Sequence, residues 1–140
     1  AVDLRYGVIL DVAQKVQCRE PIDLAMGYVN VIWQGDVNTR ALQAFSLCAS
    51  PPAILNLTGA AVVSVREMAQ RLGELMGAAP VFQGREEDTA LLSNASRLRD
   101  LFGDAAIPLD TMLQWVAHWV TIAGPTLGKP THFERRDGKF

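Results

Sequence analysis

Arg85-Glu86-Glu87-Asp88 is a run of four charged residues. A guanidinium presents paired N–H donors that match a carboxylate or phosphate bidentately, so Arg85 is a candidate grip for an anionic ligand. The three carboxylates behind it also attract Arg85 and repel a doubly charged ligand, and a solvated charge cluster stands as the alternative. His132 is a second candidate, in a tail that sets Lys129, His132, Arg135, Arg136 and Lys139 against Glu134 and Asp137. A tail of this composition is expected to be disordered, unless Phe133 and Phe140 pin it to the body and bring His132 and Arg135 to a cleft. His118, just before Trp119 on an apolar helix, reads as a partly buried, hydrogen-bonded histidine. Neither histidine has partners for a triad or a metal site. Cys18 and Cys48 form no CxxC and read as reduced core residues. No G-x-G-x-x-G occurs, so the turn that brings backbone to a dinucleotide pyrophosphate is missing.

The elements that position these groups follow from hydrophobic period and punctuation. Leu4, Val8, Val12 and Val16 form a stripe of helical period, with Ile9 and Ala13 beside it. Pro21–Leu24 reads as extended and Tyr28–Trp33 as a strand. Asp36 is expected to cap the next helix, whose apolar face is Val37, Ala41, Phe45 and Cys48 and which stops at Ser50-Pro51-Pro52. Ala53–Thr58 reads as an apolar strand bounded by Pro52 and Gly59. Ser64 and Glu67 make a capping box for a helix lined by Val65, Met68, Leu72, Leu75 and Met76 and closed by Gly77. Residues 79–83 and 89–93 read as short extended pieces. Asn94 is expected to cap a helix ending at Gly103, and the last helix runs over about 109–123.

Composition bounds the class. At 140 residues, 49% apolar and 20% charged, the chain suits one globular domain. A net charge of −2 without a basic block argues against nucleic acid, and no apolar run approaches the ~20 residues of a membrane span. No signal peptide is visible, which points to the cytoplasm and makes glycosylation at Asn56 or Asn94 unexpected.

The order Tyr28-Val-Asn-Val-Ile-Trp-Gln-Gly-Asp36, Pro52-Ala-Ile-Leu-Asn-Leu-Thr-Gly59, the Ser64–Glu67 box and Leu91-Leu-Ser-Asn94-Ala-Ser96-Arg97 resembles the C-terminal half of the extended short-chain dehydrogenase/reductases, the NAD-dependent epimerase/dehydratase family. The fold class implied is α/β: four to five helices with short strands, without the main Rossmann sheet, as a substrate-binding fragment over 1–124 and a tail over 125–140. The resemblance implies a sugar, sugar nucleotide or related hydroxy compound as the substrate of the complete protein. It implies Arg85, Asn30, Trp33 and Gln34 as substrate-binding residues; His132 is added to them from the tail, which lies outside the family pattern. NAD or NADP is expected for the complete protein and no cofactor for this chain. Neither Tyr6 nor Tyr28 has the family's Lys four residues on, so no catalytic residue is expected here.

Several positions depart from the pattern. Gly27-Tyr-Val-Asn30 lacks the Arg with which nucleotide-sugar enzymes contact phosphate, Trp33-Gln34 replaces the usual His-Val, and Asn94 and Arg97 replace Asp and Lys. These departures leave a smaller polyol, sugar acid or hydroxy acid open. With its Rossmann partner absent, Ala53–Thr58 should be an edge strand without a sheet. The apolar faces of the Leu4–Val16 and Ser64–Met76 helices should be bare, leading to self-association or low stability. The alternative is a stand-alone small α/β binding or regulatory module without redox chemistry.

Overall fold

The structure, a computed structural model, describes residues 1–136; the expectations for Lys139 and Phe140 lie outside the described residues. In chain order the elements are α1 (Val8–Cys18), β1 (Pro21–Asp23), β2 (Tyr28–Val29), α2 (Gln34–Gln43), a 3-10 helix (Ala44–Leu47), β3 (Val63–Ser64), α3 (Val65–Met76), β4 (Val81–Gln83), α4 (Ser96–Phe102) and α5 (Leu109–Thr121).

The amphipathic stripes of α1, α3 and α5 meet in one core. Ile9, Val12, Val16, Val65, Leu72 and Val116 are wholly buried there. This overturns the expectation that the faces of the first and third helices lie bare: three helices close on one another, and the apolar surface is removed from water without a large sheet. Strand pairing is minimal. β1 runs parallel to β4, with Ile22 opposite Phe82, and β2 runs antiparallel to β3. Both pairs hang on the edge of the helical core through Ile22, Leu24, Val29 and Val63.

α3 follows its sequence signals closely. The Ser64 hydroxyl accepts the Glu67 amide at 3.2 Å, and Gly77 at φ 66° closes the helix in the left-handed conformation. Elsewhere tertiary context moved the boundaries. α1 begins at Val8, not near Leu4. The Asp3 carboxylate accepts the amides of Arg5 and Tyr6 at 2.6 and 2.8 Å, turning the chain, and Val2 pairs with Trp33 in a parallel bridge. The strand expected over Tyr28–Trp33 is regular only at Tyr28–Val29.

Asp36 is not a cap. Trp33 stands at that position, and Asp36 lies buried in the first turn of α2, accepting the Ile107 amide at 3.0 Å. α2 stops at Gln43 rather than reaching Cys48, and its expected inner face is open: Leu42 and Phe45 are 69% and 72% exposed. Ala53–Thr58 forms no regular strand and pairs with none among the described residues. Side chains hold it instead, with Arg97 donating to the Ile54 carbonyl and Asn56 to the Asn94 carbonyl. Cys18, Cys48 and His118 are exposed rather than buried: Cys18 and His118 fall on the sides of α1 and α5 turned from the core, and Cys48 follows the 3-10 helix, which buries no residue. No helix of the described residues is long and apolar enough to cross a membrane.

Candidate functional site

The residues after α5 run back along α1 as a strap. Leu127 donates its amide to the Arg5 carbonyl, and Thr131 donates both amide and hydroxyl to Asp11. Lys15 meets Glu134 at 3.5 Å, and Phe133 packs against the core. Arg136 donates to the carbonyls of Ala25 and Thr89 and to the Thr89 hydroxyl. The strap thereby reaches the loop between β4 and α4.

That loop is tied down along its length. Glu86 receives two hydrogen bonds from Arg66, at 2.7 and 3.1 Å, and the same guanidinium stands over the Phe82 ring. The pairing holds the Glu86 carboxyl below the usual carboxylate range. Glu86 lies against Gly27, where a Cβ would stand 2.6 Å from its Cγ. Further on, the Leu91 amide donates to the Met26 sulfur and the Ser93 amide to the Asn30 side chain at 2.9 Å. Asn30 also donates to the Ala61 carbonyl at 3.1 Å, so it joins β2 to the two segments that cross it.

Beneath loop and strap lies a cavity of 260 Å³ lined by Val8, Met26, Val29, Asn30, Thr58, Leu91, Ser93 and Phe133. Of the residues expected at a site, Asn30 alone lines it. Arg85 is exposed and makes no hydrogen bond or ion pair with the described residues; its neighbour Glu86 is engaged by Arg66 instead. Trp33 packs edge-on against Trp115, centroids 5.1 Å apart. Gln34 donates to Asn38 at 3.0 Å. His132 sits half-buried in the strap at φ 53°, next to the wall residue Phe133. Sequence reasoning missed Met26, Thr58, Leu91 and Ser93. Thr58 and Ser93 lay in plain view within Asn56-x-Thr and Leu-Ser-Asn94, but only the crossing of loop over strand puts their hydroxyls in one place.

A larger cleft of 570 Å³ lies on the other side of α1, with charges of both signs, including Arg5, Lys15, Lys129, Asp11 and Glu134. Asp11, Lys15 and Glu134 are already committed to the strap's own contacts. Among the described residues no three His, Cys, Asp or Glu converge as a metal site.

No protein-family model matches the sequence, and no curated protein matches it closely enough to count as a relative. Solved structures do share its fold. The UDP-glucose 4-epimerase of Thermus thermophilus, in complex with NAD, is 20% identical with a TM-score of 0.61 over 80% of this chain and 39% of its own. A Pseudomonas aeruginosa protein named RMD, complexed with NADPH, is 15% identical with a TM-score of 0.65 over 84% of this chain and 43% of its own. The UDP-glucose 4-epimerase of Thermotoga maritima, with UDP-glucose, is 14% identical with a TM-score of 0.62, over 84% and 40%. The chain thus has the fold of part of these proteins, five helices with few short strands, consistent with their C-terminal half, and spans about two fifths of their length.

Proposed function

We propose that this chain is the substrate-holding part of an NAD(P)-dependent epimerase, dehydratase or reductase that acts in the cytoplasm on a sugar, sugar nucleotide or related hydroxy compound. The observation that carries this is the match to two fifths of proteins solved with NAD or NADPH. It is supported by the bare apolar side around Phe45 and Ile54, 72% and 82% exposed, which suits a seat for a further part of the protein. The dinucleotide itself does not fit this chain. No glycine-rich turn is present, and the glycine that opens a helix, Gly7, approaches Val2, where a Cβ would stand 2.7 Å from a methyl group.

In the complete protein the nicotinamide supplies the hydride chemistry. This chain's share is to orient the substrate: Asn30 fixes the loop between β4 and α4 over β2, and Phe133 closes the cavity from the strap, so that the reacting carbon is presented in one pose.

Determining the mass and peptide sequence of the native polypeptide tests this. A longer chain with G-x-G-x-x-G and Tyr-x-x-x-Lys, binding a nicotinamide dinucleotide, is expected. The 140-residue chain by itself should give no calorimetric signal with NAD(H) or NADP(H), and a micromolar Kd would overturn the assignment. A second function, a stand-alone binding module, draws on the closed α1/α3/α5 core; a native polypeptide of this length that melts cooperatively as a monomer would favour it.

A further inference from the structure

We infer that the cavity between α1, β2 and the C-terminal strap takes a small uncharged sugar or polyol and rejects a nucleotide diphosphate. This rests on the substrate-holding function proposed above and narrows its substrate.

Size speaks first. The cavity holds 260 Å³, below the roughly 300–1,000 Å³ of pockets that enclose drug-sized ligands. It has room for one ring or a short chain, and anything larger would extend past the exposed Leu91 and Ser93 into solvent.

Charge speaks second. Its lining is wholly neutral: Val8, Met26, Val29, Asn30, Thr58, Leu91, Ser93 and Phe133. Val29 lies buried in its wall. Arg136, at the end of the strap, is occupied by Ala25 and Thr89. The start of α1 at Val8 brings at most about half a positive charge, too little to offset the two negative charges of a diphosphate taken from water.

Chemistry speaks third. The hydroxyls of Thr58 and Ser93 make no hydrogen bond with the described residues. Asn30 has used one donor and one acceptor site and retains another of each. Phe133 and Leu91 offer apolar surface for a C–H face. Hydroxyl and amide groups beside an aromatic wall match a molecule that carries hydroxyls on one edge and C–H groups on a face.

Saturation-transfer NMR on the full chain tests it, with glucose, galactose, rhamnose and xylose as neutral probes and UDP-glucose as the charged one. Transfer to ring C–H protons of at least one neutral sugar is expected, with none to UDP-glucose. Phe133→Ala, and Thr58→Val combined with Ser93→Ala, should each weaken it about tenfold or more. The hydroxyl variants remove groups without a protein partner, so their fold, checked by circular dichroism, should persist if Phe133→Ala unfolds. The inference is overturned if no neutral sugar is saturated, if the hydroxyl variants bind as the parent does, or if UDP-glucose is saturated at all. Binding of UDP-glucose would leave the substrate-holding function standing. A native polypeptide without a dinucleotide part would remove that function while sugar binding survived.

Discussion

The two sides of this molecule are built from similar residues and held by different forces. On one side α1, α3 and α5 bury Ile9, Val12, Val16, Leu72 and Val116 completely, and dispersion and water exclusion do the work. On the other side α2, the 53–62 segment and α4 leave Leu42, Phe45, Ile54 and Leu101 at 69%, 72%, 82% and 44% exposure. There the chain is held by side chains reaching backbone: Asp36 to Ile107, Arg40 to the Asp104 carbonyl at 2.7 Å, Arg97 to Ile54, Asn56 to Asn94. Polar staples of this kind set geometry at about 1 kcal/mol each, while the apolar groups beside them stay wet. A helix can thus be well formed and held in place while the apolar face that its sequence patterns stays exposed to water.

The contrast is most directly broken by truncation on each side. Leu72→Ala should cost about 2–5 kcal/mol through lost burial and a residual cavity, whereas Phe45→Ser should stay within about 0.5 kcal/mol in this chain. Urea denaturation of both reads the difference. Equal losses would mean that the Phe45 side is covered in solution.

Gly59 comes next. A Cβ there would stand 1.9 Å from the Val31 carbonyl oxygen, so the 53–62 segment crosses backbone on backbone. Gly59→Ala should cost about 1–3 kcal/mol and, because the segment borders Thr58, should also disturb the cavity. A thermal melt equal to the parent's would show that the segment can lift away without penalty.

Asp36 tests the staples. Asp36→Ala leaves the half-buried Ile107 amide without its acceptor and should cost about 1–3 kcal/mol, with Asp36→Asn losing less because an acceptor remains. Denaturant midpoints that did not separate the two variants would argue against the hydrogen bond.

The smallest effect is one of pH. Glu86 is held below its ordinary value of 4.5 by its hydrogen bonds from Arg66, and Asp110 below 3.8 by those from Arg71 and Gln114. A lowered carboxyl favours the fold above its unfolded pKa and loses that contribution as pH falls through the lower folded value. Melting temperature should therefore be flat from neutral down to the ordinary carboxylate range and decline below it. Arg66→Met should flatten part of that decline; both pairs are partly exposed, so the change should be small.

What was legible in advance had local causes. The Ser64–Glu67 cap and Gly77 close α3 through groups within a turn of one another, and the apolar stripes of α1 and α5 carry their own period. What failed had causes distant in sequence. Asp36 looks like a cap until Ile107, far along the chain, supplies a donor. Ala53–Thr58 has strand composition, but pairing needs a neighbouring strand, and none of the described residues provides one.

By itself the sequence determined which segments are helical, where α3 begins and ends, and that no glycine-rich turn exists for a dinucleotide, because dihedral preferences and periodicity act over a few residues. Only the tertiary structure decided that α1 and α3 cover each other while α2 stays open, and that Asn30, Thr58, Ser93 and Phe133 share one cavity. Which apolar face is buried, and which polar groups meet, depends on contacts between residues far apart in the chain, and no local preference encodes the entropy and burial that select among them.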